Sequence, residues 1–351
     1  MSGAPRRILA NLFAESDLAR LADPRRRHRP PTRTALRTVA RLAAQLSVFA
    51  REGDRLWLPG PVEGYAMPPG VETPGSQSFV LRTTPPNCHK VEVVIEDGPI
   101  EGLEPMEELL AWCETPDAVR LRSAPRPAEI AWQAPLRELV WQLPVPPPEL
   151  IAAVHHRSFH LRVAEELGCA LPGARMVESI RELDRVLRSG TAPSAWVVKA
   201  PLSASGRDRY IERNGPAVHD PKTRRTVENL FERHGPLLFE PWMERIEDFG
   251  CAVLLTPTVL RLIGIHRQRV DRKGQFAGID LEANLSGRDR ERFLEVVEGV
   301  ASALCGEGYA GPFGVDAWTY RRPDGSTAFH PLGEINARMT FGLVAWARLV
   351  P

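Results

Sequence analysis

The chain has 351 residues, 43% hydrophobic and 25% charged, an ordinary composition for a folded globular protein and enough for two or three domains. Its 45 basic residues balance 44 acidic ones at a formal charge of +1, which gives no general attraction to nucleic acid or to an anionic membrane. Five cysteines, at 88, 113, 169, 251 and 305, form no C-x-x-C pair and have no histidine at ligand spacing, so free thiols in a reducing compartment are expected.

The start, MSGAPRRILANLFAESD, has an apolar run broken by Asn11 and stopped by Glu15, too short for a signal peptide. No run of about 18 apolar residues offers a membrane span, and a cytoplasmic location is the expectation. RRILANLF reads as a first strand. PRRRHRPPTR, residues 24–33, mixes prolines and arginines and reads as an exposed loop, a polyanion contact being the alternative. Residues 32–53 carry apolar side chains at helical spacing and stop at Gly53, after which DRLWLPGP returns as a short strand. This β-α-β order favours a parallel sheet flanked by helices. Further on, VEVVIEDG reads as a strand, and MEELLAWC and LRELVWQL as short helical pieces. LPVPPPEL, residues 143–150, is a proline-rich joint, which places a domain boundary between residues 148 and 149.

From there the periodicities sharpen. IAAVHHRSFHLRVAEELG reads as one helix ending at Gly168, and SIRELDRVLRSG as another, capped by Ser179 and stopped by Gly190. SAWVVKAP is a strand, SASGRDRYI a glycine-containing loop leading into the next strand, and residues 221–234 a helix. PLLFEPW, GCAVLLT and VLRLIGIHRQRV are strands and residues 286–306 a helix. FGVDAWTYRRPDGSTAFHPLGEIN is a hairpin turning at Pro323, Asp324 and Gly325.

Three features carry chemistry. Glu334, Asn336 and Arg338 are spaced by two, so a strand would put a carboxylate, a carboxamide and a guanidinium on one face. A polar edge strand gives the same pattern. Lys199 leaves an apolar strand just before a loop of small residues, an arrangement suited to phosphates, although a solvated strand end has the same look. The loop matches neither the P-loop nor the G-x-G-x-x-G spacing. Asp316 lies inside an apolar strand, where an unpaired carboxylate costs several kcal/mol and needs a partner such as a cation. The hairpin brings it beside Glu334 and Asn336, and such hard oxygen donors suit Mg2+ shared with nucleotide phosphates.

In this order, Lys199, the loop, Glu240, Glu247, Asp316 and the E-x-N pair resemble the ATP-grasp superfamily over roughly residues 150–351. The resemblance implies a mixed α/β and α+β protein: an N-terminal Rossmann-like pre-ATP-grasp domain (1–148) and an ATP-grasp domain (149–351). The latter would divide into a small nucleotide-binding, lid-bearing half (149–243) and a metal-binding half (244–351). It also implies ATP and Mg2+, with Mn2+ as a substitute. Lys199, Ser203, Ser205, Gly206 and Arg207 would meet the phosphates; Glu240, Pro241, Trp242 and Met243 the adenine; Glu247 the ribose; and Asp316, Glu334 and Asn336 the metal. Arg338 resembles the arginine that serves the acid substrate in biotin carboxylase. Arg157 stands where many members have another nucleotide-binding lysine, and its planar fork is not a like-for-like replacement.

Members typically phosphorylate a carboxylate and let an amine or thiol attack the acyl phosphate. That chemistry needs positioning and charge neutralisation rather than a nucleophilic side chain. Arg267 and Arg269 share one strand face and point either into the cleft or outward, and Arg209 joins Arg207 in a lid. His155 and His156 read as structural or capping residues. An amino acid or small peptide joined through an amide is the expected substrate class; a small-molecule kinase and a non-catalytic nucleotide-binding module remain the alternatives. No nucleic-acid or membrane partner is expected, and a homodimer fits the resemblance.

Overall fold

The computed structural model describes residues 6–23, 36, 39, 42–58, 79–82, 92–96, 100–124, 126, 129–189, 193–203, 208–213, 215, 220–270 and 276–349. Residues 24–33, Cys88, Gly190 and the loop residues Ser205, Gly206 and Arg207 lie outside them.

Near the N-terminus, β1 (Arg7–Leu9) pairs in parallel with β2 (Arg55–Trp57) and with β5 (Leu109–Ala111). β2 also runs parallel to β4 (Glu92–Glu96), and β3 (Phe79–Arg82) closes the far side antiparallel to β4. The order is β3-β4-β2-β1-β5, a mainly parallel sheet of the kind the β-α-β reading anticipates. Gly53, at φ +81°, makes the turn before β2. The helical stretch of residues 32–53 ends as a tight 3-10 turn, Ala44–Phe49. MEELLAWC corrects its reading: Leu109, Leu110 and Ala111 form β5 and are all buried. A short apolar run enclosed on both faces has no period to tell strand from helix.

The helix expected across 151–168 is two helices, Pro148–His155 and Arg157–Glu166. His156 interrupts them at φ −64° and ψ 135°, and its ring accepts the Ser158 amide at 3.2 Å, so it caps the second helix. The amide of Arg157 donates instead to the Pro201 carbonyl at 3.0 Å. The break thereby fixes Arg157 against the middle sheet.

That sheet comprises β6 (Arg175–Val177), β7 (Trp196–Lys199), β8 (Arg209–Glu212) and β9 (Leu237–Pro241), in the order β6-β9-β7-β8. The helices Ile180–Leu187 and Pro221–His234 cover it, capped by Ser179 and Asp220. Val177, Leu183, Trp196, Val227, Leu230 and Phe239 form its own core. Each fully buried side chain of this size stabilises by roughly 1.5–3 kcal/mol.

The C-terminal sheet runs β12-β11-β10-β13-β14 and is antiparallel throughout: β10 (Glu244–Leu255), β11 (Leu260–Val270), β12 (Phe276–Asp280), β13 (Gly311–Arg321) and β14 (Thr327–Asn336). The helix Gly287–Gly306 lays Phe293, Val296, Val297 and Val300 on one face. β12 and the last helix, Phe341–Leu349, are additions to the sequence reading. Among the described residues no helix is long and apolar enough to cross a membrane.

Candidate functional site

A cleft of about 270 Å³ opens where the sheets meet, and β13 and β14 build its floor. Their register sets Asp316 directly opposite Glu334 and Gly314 opposite Asn336. Asn336 Nδ2 donates to Asp316 Oδ2 at 3.2 Å, and Gln268 Nε2 reaches Asp316 Oδ1 at 2.6 Å. Gln268 lies two strands away, and it crosses β10 because residue 250, which faces both Asp316 and His266 in register, is glycine. A Cβ there would stand 2.8 Å from Gln268 Nε2.

Burial, then the neighbouring Glu334, pushes the Asp316 carboxyl up to about 7. Burial would also lift Glu334, but Arg157, Lys199 and Arg338 outweigh it and hold that carboxyl below its ordinary value. Two carboxylates so close, one reluctant to ionise, form a site short of positive charge. Among the described residues no three of His, Cys, Asp and Glu gather into a metal-ligand cluster, so the candidate donor set is two carboxylates with the Asn336 amide.

Basic groups face these acids. Arg157 donates to the Ala200 carbonyl at 3.0 Å and to Glu334 Oε1 at 3.2 Å, tying the end of β7 to the carboxylates. Lys199 and Arg209 are paired across β7 and β8. The Arg245 guanidinium lies 3.7 Å over the Trp318 ring. All four line the cleft. Lys199 forms a buried ion pair with Glu240. Burial lowers Lys199, while Glu240, which burial would raise, is brought to about 2 by Lys199, His160 and Arg157.

Of the sequence-derived candidates, Arg157, Lys199, Arg209, Asp316, Glu334, Asn336 and Arg338 come together around this cavity. Glu240 and Pro241 end β9, followed by Trp242 and Met243, adjacent to the cavity but not on its lining. Trp242 hydrogen-bonds Ala195 through its amide, at 2.9 Å, and carries the Arg209 and Arg213 guanidinia at 5.8 and 5.6 Å from its ring. Ser203 is half-buried just past β7. For Arg267 and Arg269 the structure decides against the cleft-facing option: Arg267 pairs with Asp280 at 2.7 Å and Glu247 at 3.4 Å, and Arg269 with Asp280 at 3.4 Å. The period-two alternation of β11 turns His266, Gln268 and Val270 to the cavity instead. Glu247, engaged with Arg267, is off the lining as well.

Arg338 is placed by the chain leaving the sheet. β14 ends at Asn336, and the Met339 amide donates to the Trp112 carbonyl at 3.1 Å, joining the N-terminal sheet to the cleft. Arg338 Nε meets Glu15 Oε1 at 2.9 Å, and its guanidinium lies 5.3 Å over Trp112. Arg245, Gln268, Glu15 and Trp112 escaped the sequence reading. Each sits in an unremarkable local pattern and reaches the cavity only through distant pairing.

No family model matches the chain, and no curated protein does. Solved structures match. One is an N5-carboxyaminoimidazole ribonucleotide synthetase with ADP, 13% identical, covering 55% of this chain and 48% of that one, at a TM-score of 0.41. Another is the biotin carboxylase domain of the Hydrogenobacter thermophilus 2-oxoglutarate carboxylase with MgADP, 18% identical over 58% and 47%, at 0.45. A third is the Vibrio cholerae D-alanyl-alanine synthetase A, 14% identical over 54% and 56%, at 0.42. The chain spans about half the length of each of these structures.

Proposed function

We propose that the protein is an ATP-dependent ligase that activates a carboxylate by phosphorylation for attack by an amine, with amino acid or small-peptide substrates. In this reading residues 1–148 are a Rossmann-like pre-ATP-grasp domain and residues 149–351 the ATP-grasp domain. The observation that carries it is the convergence in one cleft of the Asp316–Glu334 pair with Asn336 and of Lys199, Arg157, Arg209 and Arg245.

The donor set fits a hard divalent cation, since two carboxylates set opposite each other and a carboxamide, all oxygen donors, line the same cavity. Asp316, Glu334 and Asn336 would hold Mg2+ or Mn2+, which when bound neutralises charge on phosphate oxygens. Lys199, Arg157 and the Ser203, Ser205, Gly206 and Arg207 segment hold the phosphates. Glu240 to Met243 and Glu247 serve the adenosine, and Arg338 orients the acid. Positioning and charge do the work, with no side-chain nucleophile. The protein works in the cytoplasm, without nucleic acid or membrane, as a homodimer.

The test pairs wild type with Glu334→Gln. Mg2+ and ATP at about 100 times the dissociation constant should stabilise the wild type by about 2.7 kcal/mol, and the variant should lose most of that shift. With amino acids present, the wild type should release ADP and phosphate and form an amide. A phosphorylated product in place of the amide would make it a kinase. Unchanged turnover in the variant would refute the metal assignment.

A further inference from the structure

One end of the cleft has no duty in nucleotide binding. Glu15, in the first turn of the helix Ala14–Ala22, is 4% exposed and lines the cavity. Its Oε1 accepts Arg338 Nε at 2.9 Å, whereas Oε2 is buried and among the described residues has no hydrogen-bond donor. An unsatisfied buried carboxylate oxygen is destabilising and is retained where something else supplies the donor. Arg338 spends Nη1 on the Met339 carbonyl at 3.0 Å, and among the described residues its Nη2 has no hydrogen-bond partner.

Beside this pair runs an aromatic wall. The Arg338 guanidinium lies 5.3 Å over Trp112, whose ring is 4.7 Å from Phe341; Phe341 in turn stacks on Phe276 at 5.2 Å and 18°. Leu12 and Ile279 extend the apolar lining. Among the described residues the cavity thus offers one unused cationic donor, one unused anionic acceptor and an aromatic apolar surface next to both.

We propose that this end binds an α-amino acid with an aromatic or large apolar side chain: carboxylate on Arg338, ammonium on the free oxygen of Glu15, side chain along Trp112, Phe341 and Phe276. A ligand must carry both charges to satisfy both groups. A simple aryl acid would leave Glu15 Oε2 without a donor, and an aryl amine would leave Arg338 without its anion. The assignment rests on the ligase reading for its catalytic meaning, but binding is read without turnover.

Calorimetric titration of the full chain, with Mg2+ and a non-hydrolysable ATP analogue and again without them, would use phenylalanine of either hand, alanine, 3-phenylpropionate and phenethylamine. Phenylalanine should bind at least tenfold more tightly than the other three. Glu15→Gln should weaken phenylalanine about tenfold and leave 3-phenylpropionate unchanged. Phe341→Leu should weaken all three aryl ligands while the magnesium-nucleotide thermal shift stays, which keeps the test open if the Glu15 variant misfolds. Equal binding of alanine and phenylalanine, or of phenylalanine and 3-phenylpropionate, would overturn the proposal. So would failure of phenylalanine to bind in both conditions while nucleotide still stabilises the protein. Phenylalanine binding without any nucleotide effect would overturn the ligase reading and leave this site standing.

Discussion

Replacing Lys199 by Met should destabilise the protein by about 3–5 kcal/mol, the usual cost of breaking a buried ion pair from one side. Lys199 is 8% and Glu240 5% exposed, so neither charge has water to fall back on. In the wild type, the lysine is the largest of the influences that draw Glu240 down to about 2 against its burial. Without it the carboxylate keeps Arg157 nearby, which places the loss toward the lower bound, about 3 kcal/mol. A Lys199→Met, Glu240→Gln double variant removes both charges and should recover most of that loss, a coupling of at least about 2 kcal/mol in a double-mutant cycle. Urea unfolding followed through tryptophan emission suits the measurement, because Trp196 is fully buried in the same sheet. The single variant should also regain stability relative to wild type as pH falls from 7 to 5. Its unpaired Glu240 titrates above the unfolded carboxyl, and protonation removes the buried charge. A single-variant loss under about 1 kcal/mol, with an additive double variant, would refute the idea that this pair is energetically coupled.

Gly250→Ala puts a Cβ 2.8 Å from Gln268 Nε2 and His266 Nε2, so it should cost about 1–3 kcal/mol and displace Gln268 from Asp316. A variant with unchanged stability and an unchanged magnesium-dependent thermal shift would refute that packing. His155, His160, His266 and His330 are each lowered from 6.5 to about 4, chiefly by burial. Below pH 6.5 the unfolded chain takes up protons that the folded one refuses. Stability present above that pH should therefore be lost as pH falls toward 4, by up to about 3 kcal/mol per histidine. Urea midpoints at pH 8, 6 and 5 check this, and a flat profile between 8 and 5 would contradict it.

What the sequence disclosed follows range along the chain. Ser179 and Asp220 cap their helices where local rules put such residues, and the β13–β14 hairpin could be read because its turn and both strands are contiguous. That hairpin alone delivers the Asp316, Glu334 and Asn336 group. MEELLAWC misled because three consecutive buried residues carry no period, and the 151–168 helix because its break depends on a tertiary bond from Arg157 to Pro201. Arg267 and Arg269 could be assigned to one shared face from their spacing, but not to the cavity side. That choice is fixed by Asp280, on a strand the sequence did not announce.

The contacts that complete the site are the least local. Arg338 reaches Glu15 across 323 positions, Arg157 reaches Glu334 across 177, and Lys199 reaches Glu240 across 41. Arg157 and Lys199, the cations proposed to hold the phosphates, are thus already held by carboxylates. This solves a desolvation problem, because an unpaired ammonium or guanidinium at such depth would be costly until an anion arrived. It also sets the character of phosphate binding, which must exchange partners rather than fill a vacancy. A cation drawing on Glu334 loosens Arg157 toward a phosphate, and a phosphate drawing on Arg157 bares Glu334 toward a cation. The two affinities should therefore rise together, each ligand lowering the cost that the other would meet alone.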